Sequence, residues 1–194
     1  MKLVQIAAVP LLFVALAGCS TSIELTKLSA PTSAKTNLTD SRPAAERVYR
    51  RDGALDPVQF FGDEDFETPP LKHFVALLDK SLPAGAYALE VQKFRVVDIF
   101  PQRMKAGISG ALGGVLGSMG YSAFFPSESM TADNITCLVS GNFQSKSISS
   151  SVSLPYKISA FAGGIKSDSS FKAAVNDCLS KLADKVSATA PKST

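Results

Sequence analysis

The chain has 194 residues, with 20 Lys and Arg against 17 Asp and Glu, giving a formal charge of +3. The charges are dispersed: no basic stripe follows a phosphate backbone and no acidic tail is present, so nucleic acid is not an expected partner. One histidine and three cysteines leave too few ligands for a zinc site, and there is no Trp.

After Met1 and Lys2, the residues Leu3 to Leu16 form an apolar run. At about 14 residues it is short of the roughly 20 that cross a hydrocarbon core, and it fits a cleaved secretory leader. The run closes on Leu16-Ala17-Gly18-Cys19. This tetrapeptide resembles the lipobox of bacterial lipoproteins. The resemblance implies cleavage before Cys19, diacylglycerol on the Cys19 thiol and acylation of the new amine with fatty acid of the palmitate kind. One acyl chain anchors marginally, and two or more anchor stably. Ser20 stands where an Asp would retain such a protein at the inner membrane. The expected site is therefore the periplasmic face of the outer membrane. Residues 1–18 are read as the leader. Residues 19–194, roughly 175, suit one domain.

Ser22 to Leu28 alternates apolar and polar residues and predicts a first strand close to the lipid. Ala30 to Asp40 reads as a loop with a short strand near Leu38, and Ser41 to Pro57 as an exposed connection with one strand near Val48. Val58 to Phe61 is a short strand candidate. Asp63, Glu64, Asp65 and Glu67 read as a solvated acidic turn without the spacing of a calcium loop. Thr68-Pro69-Pro70 opens a helix, with Thr68 as cap and a proline that has no amide to leave unpaired. Leu71, Phe74, Val75, Leu78 and Leu82 follow at helical spacing, and Pro83-Ala84-Gly85 stops the helix. His73 falls off that stripe and is expected to face solvent.

Tyr87 to Phe100 predicts a long strand whose alternation slips at Gln92-Lys93, the mark of a bulge. Residues 106–125 carry no charge and six glycines. Gly110 with Gly114, and Gly113 with Gly117, have the spacing that lets helices approach closely in lipid. Each glycine also costs a helix about 1 kcal/mol against alanine. A loop or packed helix, an insert associating with lipid or a partner, and a spanning segment all fit this stretch. The Lys-Ser/Thr of a phosphate loop is missing. Asn134 to Ile148 and Val152 to Ile158 read as strands, joined by a turn at Ser149-Ser150-Ser151. Ser167 to Ser187 is a helix capped by Ser167 or Asp168.

Cys137 shares a strand face with Ile135 and Val139, and Cys178 shares a helix face with Phe171, Val175, Leu182 and Val186. Both thiols point toward one core, and an exported chain favours joining them. Closing a loop of about 40 residues contributes roughly 3–4 kcal/mol in the chain-entropy account.

Strands and helices mix without regular alternation, so the expected class is α+β: a mostly antiparallel sheet with two helices on one face and a Gly-rich insert. The segment Ser22 to Ala84, with Asp40-Ser41-Arg42 and the helix Leu71 to Leu82, resembles YajG-type and ABC-transport-auxiliary lipoproteins. The resemblance implies an α+β periplasmic domain that binds partners. No catalytic, cofactor or metal residues are assigned. The expected function is a non-enzymatic, membrane-anchored lipoprotein acting on envelope proteins or lipids. The alternatives are an auxiliary subunit of an envelope lipid or solute transporter and, less favoured for want of an acid/base pair on a recognisable frame, a cell-wall hydrolase.

Overall fold

A computed structural model describes residues 22–27, 34–51, 58–100, 133–157 and 165–190. The leader, Cys19 and the Gly-rich insert lie outside these residues. The described strands are β1 (Thr36–Asp40), β2 (Arg50–Arg51), β3 (Val58–Phe61), β4 (Tyr87–Ile99), β5 (Asn134–Phe143) and β6 (Lys146–Pro155). The described helices are α1 (Pro70–Ser81) and α2 (Ser169–Ser187), with described 3-10 turns at Ala44–Glu46, Asp63–Asp65 and Ile165–Ser167. The class is α+β, as expected from the order of elements.

The sheet is organised by β4, which is long enough to hold two partners end to end on one edge. β1 pairs parallel with Tyr87 to Val91, and β3 pairs antiparallel with Val96 to Ile99. On its other edge β4 pairs antiparallel with β5 along nearly its whole length, and β5 pairs with β6. The sheet order is β2-β3-β4-β5-β6, with β1 beside β4. The register shifts between Val91 and Lys93, which is the bulge expected from the slip in alternation. Gly141 stands opposite Val91 there, at φ 157°, and a Cβ on it would lie 2.0 Å from the Glu90 carbonyl oxygen. Only glycine lets the two backbones approach this closely.

Both helices cover one sheet face. Phe74 of α1 meets Phe94 at 5.4 Å between ring centroids. Phe171, Val175, Cys178, Leu182 and Val186 of α2 are all buried in the same cluster as Ile135, Cys137 and Val139. The two apolar stripes read from the sequence thus meet in one core. Asp168 caps α2, its carboxylate accepting from the Ser170 and Phe171 amides at 2.9 and 3.0 Å. On the opposite face Val58, Phe60, Val97 and Ile99 form a smaller cluster. The Arg50 guanidinium lies 4.4 Å from the Phe60 ring centroid, and Arg95, paired with Glu46, lies 5.2 Å away. β4 therefore becomes buried on both faces from Val96 onward.

Four local expectations are corrected. The β5–β6 turn falls at Gln144-Ser145, with φ of 50° and 62°, and the serine run lies inside β6. A two-residue turn with both central φ positive matches the twist of a hairpin, and it keeps Ile148, Val152 and Leu154 against the core. The cap of α1 is Pro69 rather than Thr68, and no side chain caps it. The first strand shrinks to one bridge, Ile23 with Phe66, although Ile23 and Leu25 are buried as the alternation requires. The connection near Val48 forms the 3-10 turn and the short β2 in place of a strand centred on Val48.

Candidate functional site

β1 and β3 run toward each other along one edge of β4: β1 ends at its bulge, where Asp40 pairs Val91, and β3 ends beyond it, where Phe61 pairs Val96. The gap between them is filled by Arg42, whose side chain is only 2 % exposed. Its Nε and Nη2 donate to the Asp40 carboxylate at 2.9 and 3.0 Å. Its Nη1 and Nη2 donate to Asp63 at 3.2 and 2.8 Å. The planar fork of a guanidinium suits two bidentate carboxylates, which an ammonium could not satisfy together. Its other flank lies 5.9 Å from the Phe94 ring centroid.

Burial works against the Arg42 charge, but the hydrogen bonds it donates to Asp40 and Asp63 outweigh it and hold its pKa above the ordinary value. The Arg42 side chain in turn holds the Asp40 carboxyl below the ordinary 3.8. Arg47 joins the cluster, donating to the Arg42 carbonyl at 3.0 Å. With its donors committed to two carboxylates, Arg42 is a closing piece of the sheet and not a receptor for an anion.

The expected solvated acidic turn holds for Glu64 and Glu67, which are exposed, but Asp63 and Asp65 are tied down. Asp63 holds Arg42, and Asp65 is buried, accepts from the Gly62 amide at 2.8 Å and pairs with Lys166. Gly62 lies so close to the backbone of Arg47 to Tyr49 that a Cβ would come within 2.5 Å of the Tyr49 nitrogen. His73 is also corrected: it is 5 % exposed. α1 packs against α2 and β1, so its buried arc is wider than its hydrophobic stripe. Burial, and secondarily the Lys80 charge, lower the His73 pKa.

A second buried polar contact lies at the other end of the sheet. The Tyr156 hydroxyl donates to Asp98 at 2.6 Å, and Asp98 is fully buried. Beside Tyr156 is an open groove of about 430 Å³ between the end of β6 and α2. Lys157, Lys181 and Asp177 line it with Ala173 and Ala174. It holds charged groups of both signs and no arrangement of nucleophile and base.

Of the three sequence-predicted site residues, Cys19 lies outside the described residues. Cys137 and Cys178 are brought together. Both are free, buried and 0 % exposed. The Cys178 Sγ lies 3.4 Å from the Val152 carbonyl oxygen, and Val152 is the residue paired with Cys137 across the β5–β6 ladder. Burial, and then the hydrogen bond with Cys178, push the Cys137 pKa well above its ordinary value. Among the described residues no group of side chains is arranged to hold a metal ion, and no helix is long and apolar enough to cross a membrane.

Comparison of the chain with protein-family models, with curated proteins and with solved structures finds no match. The Arg42 and Asp65 ion pairs were missed by the sequence reading. Asp40-x-Arg42 is the one local trace of them, since Asp63 and Lys166 reach these sites only through the fold.

Proposed function

We propose that the protein is a lipoprotein held by Cys19 at the periplasmic face of the outer membrane, where it acts without catalysis by contacting envelope proteins or lipids. The observation that carries this reading is Leu16-Ala17-Gly18-Cys19 after an apolar leader, with Ser20 next. The start of the domain fits such an anchor. Ile23 is fully buried, bridges Phe66 and exchanges backbone hydrogen bonds with Asp65 and Glu67. Only residues 20–22 separate that fixed point from Cys19, a reach of at most about 14 Å. Lipid on Cys19 therefore keeps this edge of the domain beside the bilayer. The nearby pairs, Glu24 with Lys172 and Thr26 with Asn176, put the first half of α2 at the same edge.

The second reading, an auxiliary subunit of an envelope lipid or solute transporter, is favoured by one observation. Asp40 and Arg42, the pair behind the resemblance to auxiliary lipoproteins, form the salt bridge at the bulge of β4. Both readings place function in binding.

Labelling with a palmitate analogue should mark the wild-type chain and leave Cys19→Ala unmarked, unprocessed and absent from the outer-membrane fraction. An unlabelled wild type, or a Cys19→Ala chain equally processed and equally retained, would overturn the anchor. Crosslinking of the acylated protein in intact cells, followed by purification and mass spectrometry, then separates the partner readings. Recovery of transporter subunits selects the second.

A further inference from the structure

We propose that Cys137 and Cys178 are joined as a disulfide while the chain folds, before α2 docks, and that the docked helix then seals the bond from further exchange. The proposal rests on the reading that the chain is exported to an oxidising compartment. The geometry selects these two sulfurs. The Cys178 Sγ lies 3.4 Å from the Val152 carbonyl oxygen and 3.8 Å from that of Ile135. Val152 stands directly across from Cys137, and Ile135 is two residues away on the same strand face. The α2 sulfur therefore sits above the spot where the Cys137 side chain rises from β5.

The order of events follows from access. Exchange begins when a thiolate attacks a disulfide sulfur, which needs both deprotonation and contact with the oxidant. In the folded chain both sulfurs have no exposed surface, and the low-polarity core keeps the Cys137 thiol protonated. The folded, reduced chain is therefore a poor substrate for oxidation. The β5–β6 hairpin is local and presents Cys137 as soon as it forms, whereas Cys178 lies in α2, which begins only after the hairpin is complete and must still come down on it. In that interval one thiolate attacks an external disulfide, RSSR, giving a mixed disulfide and RS⁻. The second thiolate displaces the remaining RS⁻. Two thiols and one RSSR thus give one Cys137–Cys178 bond and two RSH. A chain that closes its core before meeting an oxidant keeps two thiols. The linked and unlinked forms then record where folding took place.

The test uses the full chain carrying Cys19→Ala, so that only these two sulfurs remain. Denatured, reduced protein refolded with oxidised glutathione should lose both thiols and yield a linked Cys137–Cys178 peptide. The same protein folded first and then given oxidised glutathione should keep both thiols, reacting at least about a hundredfold more slowly than in denaturant. Stable glutathione adducts in place of the link would overturn the pairing. Oxidation of the folded chain as fast as of the refolding one would overturn the sealing. Cys178→Ala should show no link: it should keep one buried thiol when folded first and carry an unresolved glutathione adduct on Cys137 when refolded with oxidised glutathione, and an intermolecular dimer of the two-cysteine chain would count against the pairing. In cells, the wild-type chain with its leader should be linked and a chain lacking residues 2–18 should not. A link that forms on refolding but is missing from the exported protein would instead sink the export reading and leave the pairing standing.

Discussion

Replacing Arg42 with Met keeps most of the aliphatic stem and removes the guanidinium, including its approach to the Phe94 ring. Four hydrogen bonds to Asp40 and Asp63 are lost, and the two carboxylates remain facing a gap once held by the guanidinium. Breaking a buried pair by deleting one partner costs about 3–5 kcal/mol, because the remaining charge is stranded. Here the Asp40 and Asp63 side chains are 26 % and 25 % exposed, so water rehydrates them in part. That places the expected loss at the lower end, about 3 kcal/mol. With a urea dependence of about 1–3 kcal/mol per molar, the midpoint should fall by about 1–3 M at pH 7. Arg42→Lys restores charge without the fork and should recover only part of the loss.

The pH dependence discriminates further. The folded Asp40 pKa lies below its ordinary 3.8. Its contribution is complete above the unfolded pKa and is lost as pH falls through the folded one. In Arg42→Met the paired carboxylates repel, and protonation relieves them. The gap between wild type and variant should therefore narrow between pH 7 and acid of about pH 3.5. Urea titrations followed by circular dichroism at the two pH values measure this. A loss below about 1 kcal/mol at pH 7, or a gap that does not shrink in acid, refutes the view that this ion pair closes the sheet.

Three further outcomes are expected. Gly141→Ala drives a methyl into the Glu90 carbonyl, so the β4–β5 register must shift; its thermal midpoint should fall sharply, and a midpoint within about 2 °C of wild type would refute the close approach. Asp168→Ala removes the acceptor of the Ser170 and Phe171 amides at the start of α2. It should cost about 1 kcal/mol in urea, and Asp168→Asn should cost less. His73, with its pKa lowered by burial, favours the neutral ring in the folded chain. Stability should decline as pH falls below the unfolded value near 6.5, and His73→Gln should flatten that part of the stability profile; an unchanged slope would count against a buried neutral His73.

What was legible in the sequence is what a period can encode. The slip at Gln92-Lys93 is a change of parity, and it became the bulge that lies between the ends of β1 and β3. The facing of Cys137 and Cys178 followed from two periodicities, 2.0 in β5 and 3.6 in α2, because each assigns a side without knowledge of the partner. The β5–β6 turn was not legible for the same reason in reverse. Gln144 and Ser145 adopt positive φ without being glycine or asparagine, while the serine run imitates a turn by composition although its parity continues the strand. His73 failed because periodicity marks the apolar stripe, whereas burial depends on how many neighbours flank the helix. Ion pairs are further from reach still. Arg42 meets Asp63 across 21 residues and Lys166 meets Asp65 across 101, and neither partner alters the local pattern of the other. A charged residue in a connection reads as solvated until topology carries its counter-charge beside it. In this chain the places where connections turned out to be buried are the places where the ends of β1 and β3 had to be joined to β4.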